Sequence, residues 1–525
     1  MSKASTYPER KKAAMYAKIE VWQSRVAGLM VILLLCIQPL YLNSARYISL
    51  TWHKFIFFVV YMVIILIAVI IIWISRVASN PRLGPRERPY LADWAVLGFA
   101  IITLLSAIFS PFKDIADVWV GIPEPSGRYD GAITQLLYVA VFLIVAHWYK
   151  PRVRHFAFFG ISASLIGLIG ILQFYGMDFL KLWPNDLPQY HAENYYNIFF
   201  RSTLGNVDIV STFVCVAILL CGFLFIRMKS KWQPLWLAAS ALNFWLMELA
   251  DAYSGRVGVI VATVLALPFI VENMKTLGRA MILASSWLAA FVAQMLLFDV
   301  LIMNTRTFMS TLPYIFAFII LLAAGILLSK RGKESGRDEK PKWKLGLILI
   351  AICIVAGIAG VEVLGKRDEN TGYKNLVADL RDVLHGDIRD ELGTNRVYIW
   401  RNALSVYPNH PIIGTGPDTF EQAFPEDAQW KYDQNYDKAH NEYIQILICQ
   451  GILGLICYLL FLVASSLKSA PKAFKNPLLM AVLAAFTGYC VQAFFNINLP
   501  IASQLLWVFA GMLANKQFRE FKVES

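Results

Sequence analysis

A long run without a charge most constrains what this chain can fold into. Residues 55–74 contain no charged side chain and a single hydroxyl, that of Tyr61. A helix of about 20 residues crosses the roughly 30 Å hydrocarbon core of a bilayer. Similar runs recur along the sequence, in which 58% of the residues are hydrophobic and 16% are charged. A soluble domain carries about 25% charged residues, so we expect a membrane protein.

The apolar runs predict an all-α fold, a polytopic transmembrane helical bundle of about fourteen spans with one large, partly helical extracytoplasmic loop. The predicted spans are approximately 26–43, 54–75, 92–110, 131–148, 155–175, 206–227, 234–250, 256–272, 280–298, 310–329, 344–364, 442–466, 478–496 and 499–515. The predicted organisation is therefore a basic N-terminus at 1–25, spans 1 to 11 within 26–365, the loop at 366–441, spans 12 to 14 within 442–515 and a tail at 516–525. Residues 330–343 read as a charged cytoplasmic linker.

Positive charge is concentrated in alternate loops. Basic clusters occur at residues 10–12, 82–88, 150–154, 227–231 and 330–344, and the net charge of the chain is +12. Because basic loops resist translocation, both termini are predicted to be cytoplasmic, in a multi-pass protein of the plasma membrane. The positive charge then lies against anionic lipid headgroups, and no nucleic acid is expected as a partner.

The sequence carries no motif of a familiar soluble enzyme, such as a Gly-rich dinucleotide loop, a P-loop or a zinc-binding HExxH. The seven cysteines lie within apolar runs and none forms a CxxC pair. We therefore expect buried thiols rather than a zinc site or a disulfide framework.

The long extracytoplasmic loop is the only segment large enough to fold by itself. Residues 375–384 and 397–406 have apolar side chains at helical spacing, and several prolines and glycines follow them. The loop ends in the segment 438–445, KAHNEYIQ, which opens the twelfth predicted span; upstream, residues 396–401 read RVYIWR and residues 410–416 read HPIIGTG. His440 lies where this polar loop enters a membrane helix, a position that an interfacial or helix-capping residue usually takes.

These motifs resemble the O-antigen ligase and O-antigen polymerase superfamily of bacterial envelopes. Residues 201–206 (RSTLGN) and 253–256 (YSGR) are similar to two earlier segments of that family. The resemblance implies an enzyme, an O-antigen ligase-like glycosyltransferase of cell-surface polysaccharide biosynthesis. It would transfer a glycan en bloc from a polyprenyl (undecaprenyl) diphosphate carrier to an acceptor hydroxyl of a glycan, lipid or protein. The reaction implied is inverting, independent of metal and cofactor, and located on the outer face of the plasma membrane.

The resemblance also implies roles for particular residues. His440 is expected to be the general base, and Arg256 and Arg201 to be catalytic clamps on the diphosphate, which arginine can grip bidentately without losing its proton. Five further residues are expected to bind substrate: Arg396, Arg128, Asn441, Tyr443 and His410. Helix capping and packing is the alternative for Asn441 and Tyr443, and a turn position is the alternative for His410.

Three other functions stay open at this point: a repeat-unit polymerase of the same superfamily, a flippase or other transporter of lipid-linked glycans, and a non-catalytic assembly or sensor protein. A transporter more often carries charges near the bilayer midplane. Here six acidic residues fall instead at the outer ends of predicted spans, which indicates a polar cavity opening outward: Asp208, Glu248, Asp251, Asp299, Glu362 and Glu442.

Overall fold

The chain folds into helices. The computed structural model describes residues 7–47, 49–79, 90–112, 115–123, 128–182, 202–251, 253–301, 308–332, 342–365, 376–429 and 436–521. These residues form α-helices with short 3₁₀ and π turns, and no β-strand occurs among them. The predicted all-α fold is therefore confirmed.

The helices follow the apolar runs closely. The first eight are α1 Tyr7–Ile32, α2 Leu50–Ser79, α3 Leu91–Ile108, α4 Ile115–Val120, α5 Ala132–Trp148, α6 Val153–Phe174, α7 Val207–Arg227 and α8 Gln233–Leu249. The others are α9 Tyr253–Leu265, α10 Leu267–Ile270, α11 Met274–Leu301, α12 Phe308–Arg331, α13 Trp343–Leu364, α14 Leu376–Leu384, α15 Leu392–Val406, α16 Phe420–Ala423, α17 Glu442–Leu467, α18 Pro477–Gln492, α19 Gln504–Ala514 and α20 Lys516–Arg519.

Each predicted span overlaps at least one helix of the structure, although the span predicted at 256–272 is divided between α9 and α10. Within the described ranges, ten helical segments are long and apolar enough to cross a membrane, and α5, α9 and α19 are shorter apolar helices. The protein is thus a multi-pass helical membrane protein. The number of spans, the membrane in which they lie and the side on which the termini lie stay predictions.

Helix α7 lies at the centre of the bundle. It is buried along its whole length and packs against α8, α9, α11 and α18. Its first turn is capped by Asn206, whose side-chain oxygen accepts the backbone N–H of Asp208 at 2.8 Å. Capping of this kind satisfies an otherwise orphaned N–H at a helix start. It also fixes a carboxylate in the first turn of the most buried helix.

The segment that joins α13 to α17 packs onto the bundle through a small apolar core of its own. That core contains Tyr398 and Ile399 of α15, Phe420 and Phe424 of the following turn, and Cys449 of α17. The two helices predicted in this loop are present as α14 and α15. The loop is therefore held against the start of α17, where the KAHNEYIQ motif lies.

Helix α17 is interrupted at Gly451, and the HPIIGTG turn fills the gap. Gly451 has a φ of 68° and a ψ of −173°, a conformation that is essentially restricted to glycine. The N–H groups of the next two residues donate to the carbonyls of Pro411 at 2.9 Å and Ile412 at 3.2 Å. In return, the N–H of Thr415 donates to the carbonyl of Ile448 at 3.1 Å. The turn thus satisfies the backbone groups that the break releases, as a buried polar backbone requires.

Candidate functional site

His440 occupies a tightly held turn immediately before α17. Its φ of 47° lies in the left-handed region, which is strained for a residue with a side chain. Both backbone groups of the preceding Ala439 are bonded to side chains: its N–H donates to Gln445 Oε1 at 2.9 Å, and its carbonyl accepts Trp400 Nε1–H at 3.0 Å. On the other side, Asn441 caps α17 by accepting the N–H groups of Tyr443 and Ile444. The strained backbone of His440 is therefore fixed from both sides.

The imidazole of His440 faces the first turn of α7. Its Nδ1 lies 3.6 Å from Asp208 Oδ2, and Arg396 Nη2 lies 3.8 Å from the other carboxylate oxygen, Oδ1. These three side chains come from three separate segments: the turn before α17, the start of α7 and the loop helix α15. A histidine, a carboxylate and a guanidinium thus meet at one place, at the N-terminal end of α7.

The surroundings favour a neutral imidazole. Burial lowers the pKa of His440 below its ordinary value, Asp208 and Asp437 oppose that shift, and Arg396 and Arg128 reinforce it. The side chain retains 29% of its accessible surface. A partly accessible imidazole that is neutral at pH 7 is suited to accept a proton.

Arg128 joins the same site from another segment. Its Nε donates to Asp437 Oδ2 at 2.7 Å, three residues before His440. Two of the predicted arginines, Arg128 and Arg396, are therefore close enough to His440 to act on its charge.

Arg256 takes a different position. Its guanidinium pairs with Glu248 at 3.2 Å and with Asp251 at 2.8 Å, and it lies over the ring of Tyr253. Two carboxylates thus already balance its charge. Arg201, the other predicted clamp, lies outside the described residues.

A comparison with known protein families matches the part of the chain that contains His440 and Arg396. Residues 284–459 match the family model of O-antigen ligase, over about a third of the chain. This protein carries an O-antigen ligase domain. The resemblance to the O-antigen ligase superfamily that the motifs predicted is thereby confirmed, and it supports an enzyme of membrane glycosyl transfer in polysaccharide biosynthesis. No curated protein matches the chain.

The O-antigen ligase domain includes His440, Arg396, His410, Asn441 and Tyr443. The structure places the last three in specific contacts. Asn441 is the N-cap of α17, and the hydroxyl of Tyr443 donates to the carbonyl of Cys490 at 2.7 Å. His410 is exposed, and its carbonyl accepts the N–H of Gly414 within the HPIIGTG turn.

Asp208 is the member of this cluster that the sequence did not single out. It lies outside the O-antigen ligase domain, and it is one of six acidic residues at the predicted outer ends of spans. A further signal was present, since Asn206 stands two residues earlier as a helix cap. That cap marks the first turn of a helix, where a carboxylate is stabilised by the helix dipole.

An apolar cavity adjoins the cluster of His440, Asp208 and Arg396. It has a volume of about 200 Å³ and lies between the start of α9, the loop helices α14 and α15, and Phe495. Arg396 lines it together with Trp400, Val383 and Tyr253.

In the part of the chain that the structure describes, no three His, Cys, Asp or Glu side chains are grouped so that they could hold a metal ion. The site therefore offers an imidazole, guanidinium groups and an apolar wall.

Proposed function

We propose that this protein transfers a glycan from a polyprenyl diphosphate carrier to an acceptor hydroxyl, in the manner of an O-antigen ligase. The observation that carries the proposal is the meeting of His440 with Asp208 and Arg396 at the N-terminal end of α7. The O-antigen ligase domain spans the loop that supplies two of these three residues. The active site would be extracytoplasmic, in a plasma membrane with both termini on the cytoplasmic side.

His440 would act as the general base. Its Nδ1 faces Asp208, so the Nδ1–H tautomer is favoured and Nε2 is left to take a proton. The acceptor oxygen attacks the anomeric carbon on the face opposite the diphosphate while its proton passes to Nε2. The new glycosidic C–O bond forms as the bond between the anomeric carbon and the phosphate oxygen breaks. The configuration is inverted, and polyprenyl diphosphate leaves with the bonding electron pair.

Arg396 and Arg128 would stabilise the diphosphate as negative charge builds up on it. Both act on the charge of His440, and guanidinium groups bind phosphate oxygens bidentately without titrating. Arg256 and Arg201 stay proposed clamps, and Asn441, Tyr443 and His410 proposed contacts of the substrate. Arg256 would first have to leave Glu248 and Asp251.

Replacing His440 tests the proposal directly. Membranes that carry the His440→Gln variant, a lipid-linked glycan donor and an acceptor should show transfer lowered by about 100-fold or more, because the base is lost. His385→Gln is the matched control, since His385 is an exposed histidine of the same loop. Unimpaired transfer by His440→Gln at equal protein level would refute the proposed base.

The product separates the two reactions of the superfamily. A ligase moves one preassembled glycan onto a terminal acceptor, so the glycan length of the product equals that of the donor. A repeat-unit polymerase lengthens the lipid-linked glycan, so the product is a ladder that stays on the carrier. Gel analysis of the product from the wild-type protein decides between them.

A further inference from the structure

A buried ion cluster lies directly behind the His440 turn. We define the Lys438 cluster as Asp130, Asp418 and Lys438, whose side chains retain only 2–3% of their accessible surface. The ammonium of Lys438 is bonded to Asp418 Oδ1 and lies 3.9 Å from Asp130 Oδ2. Since these groups are enclosed, a substrate that reaches His440 does not touch them.

The cluster joins three segments of the chain. Asp418 Oδ2 accepts the backbone N–H groups of Ile122 at 3.1 Å and of Asp130 at 3.2 Å. Through Lys438, the same carboxylate holds the segment two residues before His440. Asp418 therefore ties the loop before α5 and the turn before α16 to the turn that carries the imidazole.

Each of the three segments contains a strained residue next to the cluster. Tyr129, Asp418 and His440 have φ values of 54°, 61° and 47°. Non-glycine residues in this region persist only where the surrounding structure holds them, at a cost of about 1–2 kcal/mol each. The ion cluster is the group of contacts that connects all three.

The charges of the cluster suit a permanent structural role. Burial lowers the pKa of Lys438, but Asp418 and Asp130 outweigh that effect and raise it overall, so the ammonium stays charged. Burial also raises the pKa of Asp130, with Asp418 adding to the shift against the opposing charge of Lys438. Removing one partner alone would leave a buried charge unpaired, which is strongly destabilising.

We propose that the Lys438 cluster positions His440 against Asp208, with Lys438 and Asp418 as positioning residues of the reaction. The inference rests on the proposed function for its catalytic meaning. Its structural claim is that a buried ion pair fixes the turn that carries His440 on its buried side. Hydrogen bonds of Trp400, Gln445 and Asn441 fix the neighbouring backbone.

The first test measures the position of residue 440 without using activity. The full-length protein in membranes carries His440→Cys, and the rate at which a membrane-impermeant maleimide alkylates this cysteine is read by site-resolved mass spectrometry. Lys438→Met with Asp418→Asn removes one positive and one negative charge together, so neither member of that ion pair is left unpaired. We expect the alkylation rate to rise about tenfold, because the freed turn exposes the thiol. A rate equal to or below that of the intact cluster would overturn the proposal.

The control is an equally buried ion pair elsewhere in the bundle. Arg227 and Glu272 retain 3% and 4% of their side-chain surface at the other end of α7. Arg227→Met with Glu272→Gln should lower thermal stability without changing alkylation at residue 440. Should the Lys438→Met double variant fail to accumulate, Asp418→Glu keeps the negative charge beside Lys438 but displaces the carboxylate by one methylene, and it should give a smaller rise of the same sign. An unchanged rate in that variant also overturns the proposal.

The second test uses glycan transfer with His440 intact. A positioning role predicts that kcat of the double variant falls 10- to 100-fold while KM for the lipid-linked donor stays within twofold, since misplacing a catalytic group by about 1 Å costs this much. A rise in KM with kcat unchanged would contradict it. The alkylation result holds even if His440→Gln proves fully active, so failure of the proposed function and failure of the positioning role are distinguishable.

Discussion

Arg256 and Arg396 meet their acidic partners in different ways. Arg256 pairs with Glu248 and Asp251, which precede it by only eight and five residues. Arg396 shares Asp208 with His440, and these three residues lie far apart in the sequence. The first arrangement is a local ion-pair cluster that neutralises itself. The second brings a base and a cation together through a carboxylate that neither segment contains, so its location carries more information about function.

The difference predicts unequal losses when each arginine is replaced. Arg396→Gln should lower glycan transfer by about 100-fold or more, since it removes a preorganised donor beside the base. Arg256→Gln should lower transfer by less than about tenfold, because two carboxylates already hold its charge. Initial rates in membranes at matched protein level measure both, with Arg396→Lys as a variant that keeps the charge and loses the fork. Equal losses of glycan transfer in Arg396→Gln and Arg256→Gln would contradict the predicted difference between the two arginines.

The interruption of helix α17 leads to a prediction of a large loss of folding stability. This helix follows His440 directly and therefore belongs to the Arg396 arrangement. An alanine at Gly451 would have an unfavourable backbone conformation, and its Cβ would collide with the carbonyl of Ile412. We expect Gly451→Ala to cost about 3 kcal/mol of folding free energy. Gly357→Ala is the control, because a Cβ there meets nothing within 4 Å. Thermal unfolding in detergent should separate the two variants, and similar midpoints would show that the HPIIGTG turn does not depend on this glycine.

The sequence predicted the helices well and their places in the bundle poorly. Helices α7 and α13 have the same mean hydropathy, and both were predicted as spans. Yet α7 is buried throughout and α13 is not buried at all. Lipid tails are as apolar as a protein interior, so hydropathy cannot distinguish a helix that faces lipid from one that faces other helices.

The residues of the candidate site likewise divide into those that the sequence predicted and those that it did not. His440 and Arg396 lie in short motifs that the sequence displays, so both were predicted. Asp208 meets them only through packing of α7, and the burial of Lys438 leaves no sign in the sequence, because charged residues in loops are usually exposed. Local pattern thus identified the groups that we propose to do the chemistry, while their proposed orienting partners depended on tertiary contacts.

The smallest expected effect is a shift in pH dependence, and it distinguishes the two partners of His440 by sign. Transfer needs a neutral imidazole, so the rate falls as the pH drops through the pKa of His440, which lies below its ordinary value of about 6.5. Arg396 lowers that pKa, so Arg396→Gln should move the acidic limb of the rate profile to higher pH. Asp208 raises it, so Asp208→Asn should move the limb to lower pH while the plateau falls through loss of orientation. Arg256→Gln should shift the midpoint less than either, because Arg256 is not among the charged groups that chiefly set the pKa of His440. Rates measured from pH 5 to 8 in each variant would contradict the proposed pairing if both shifts had the same sign.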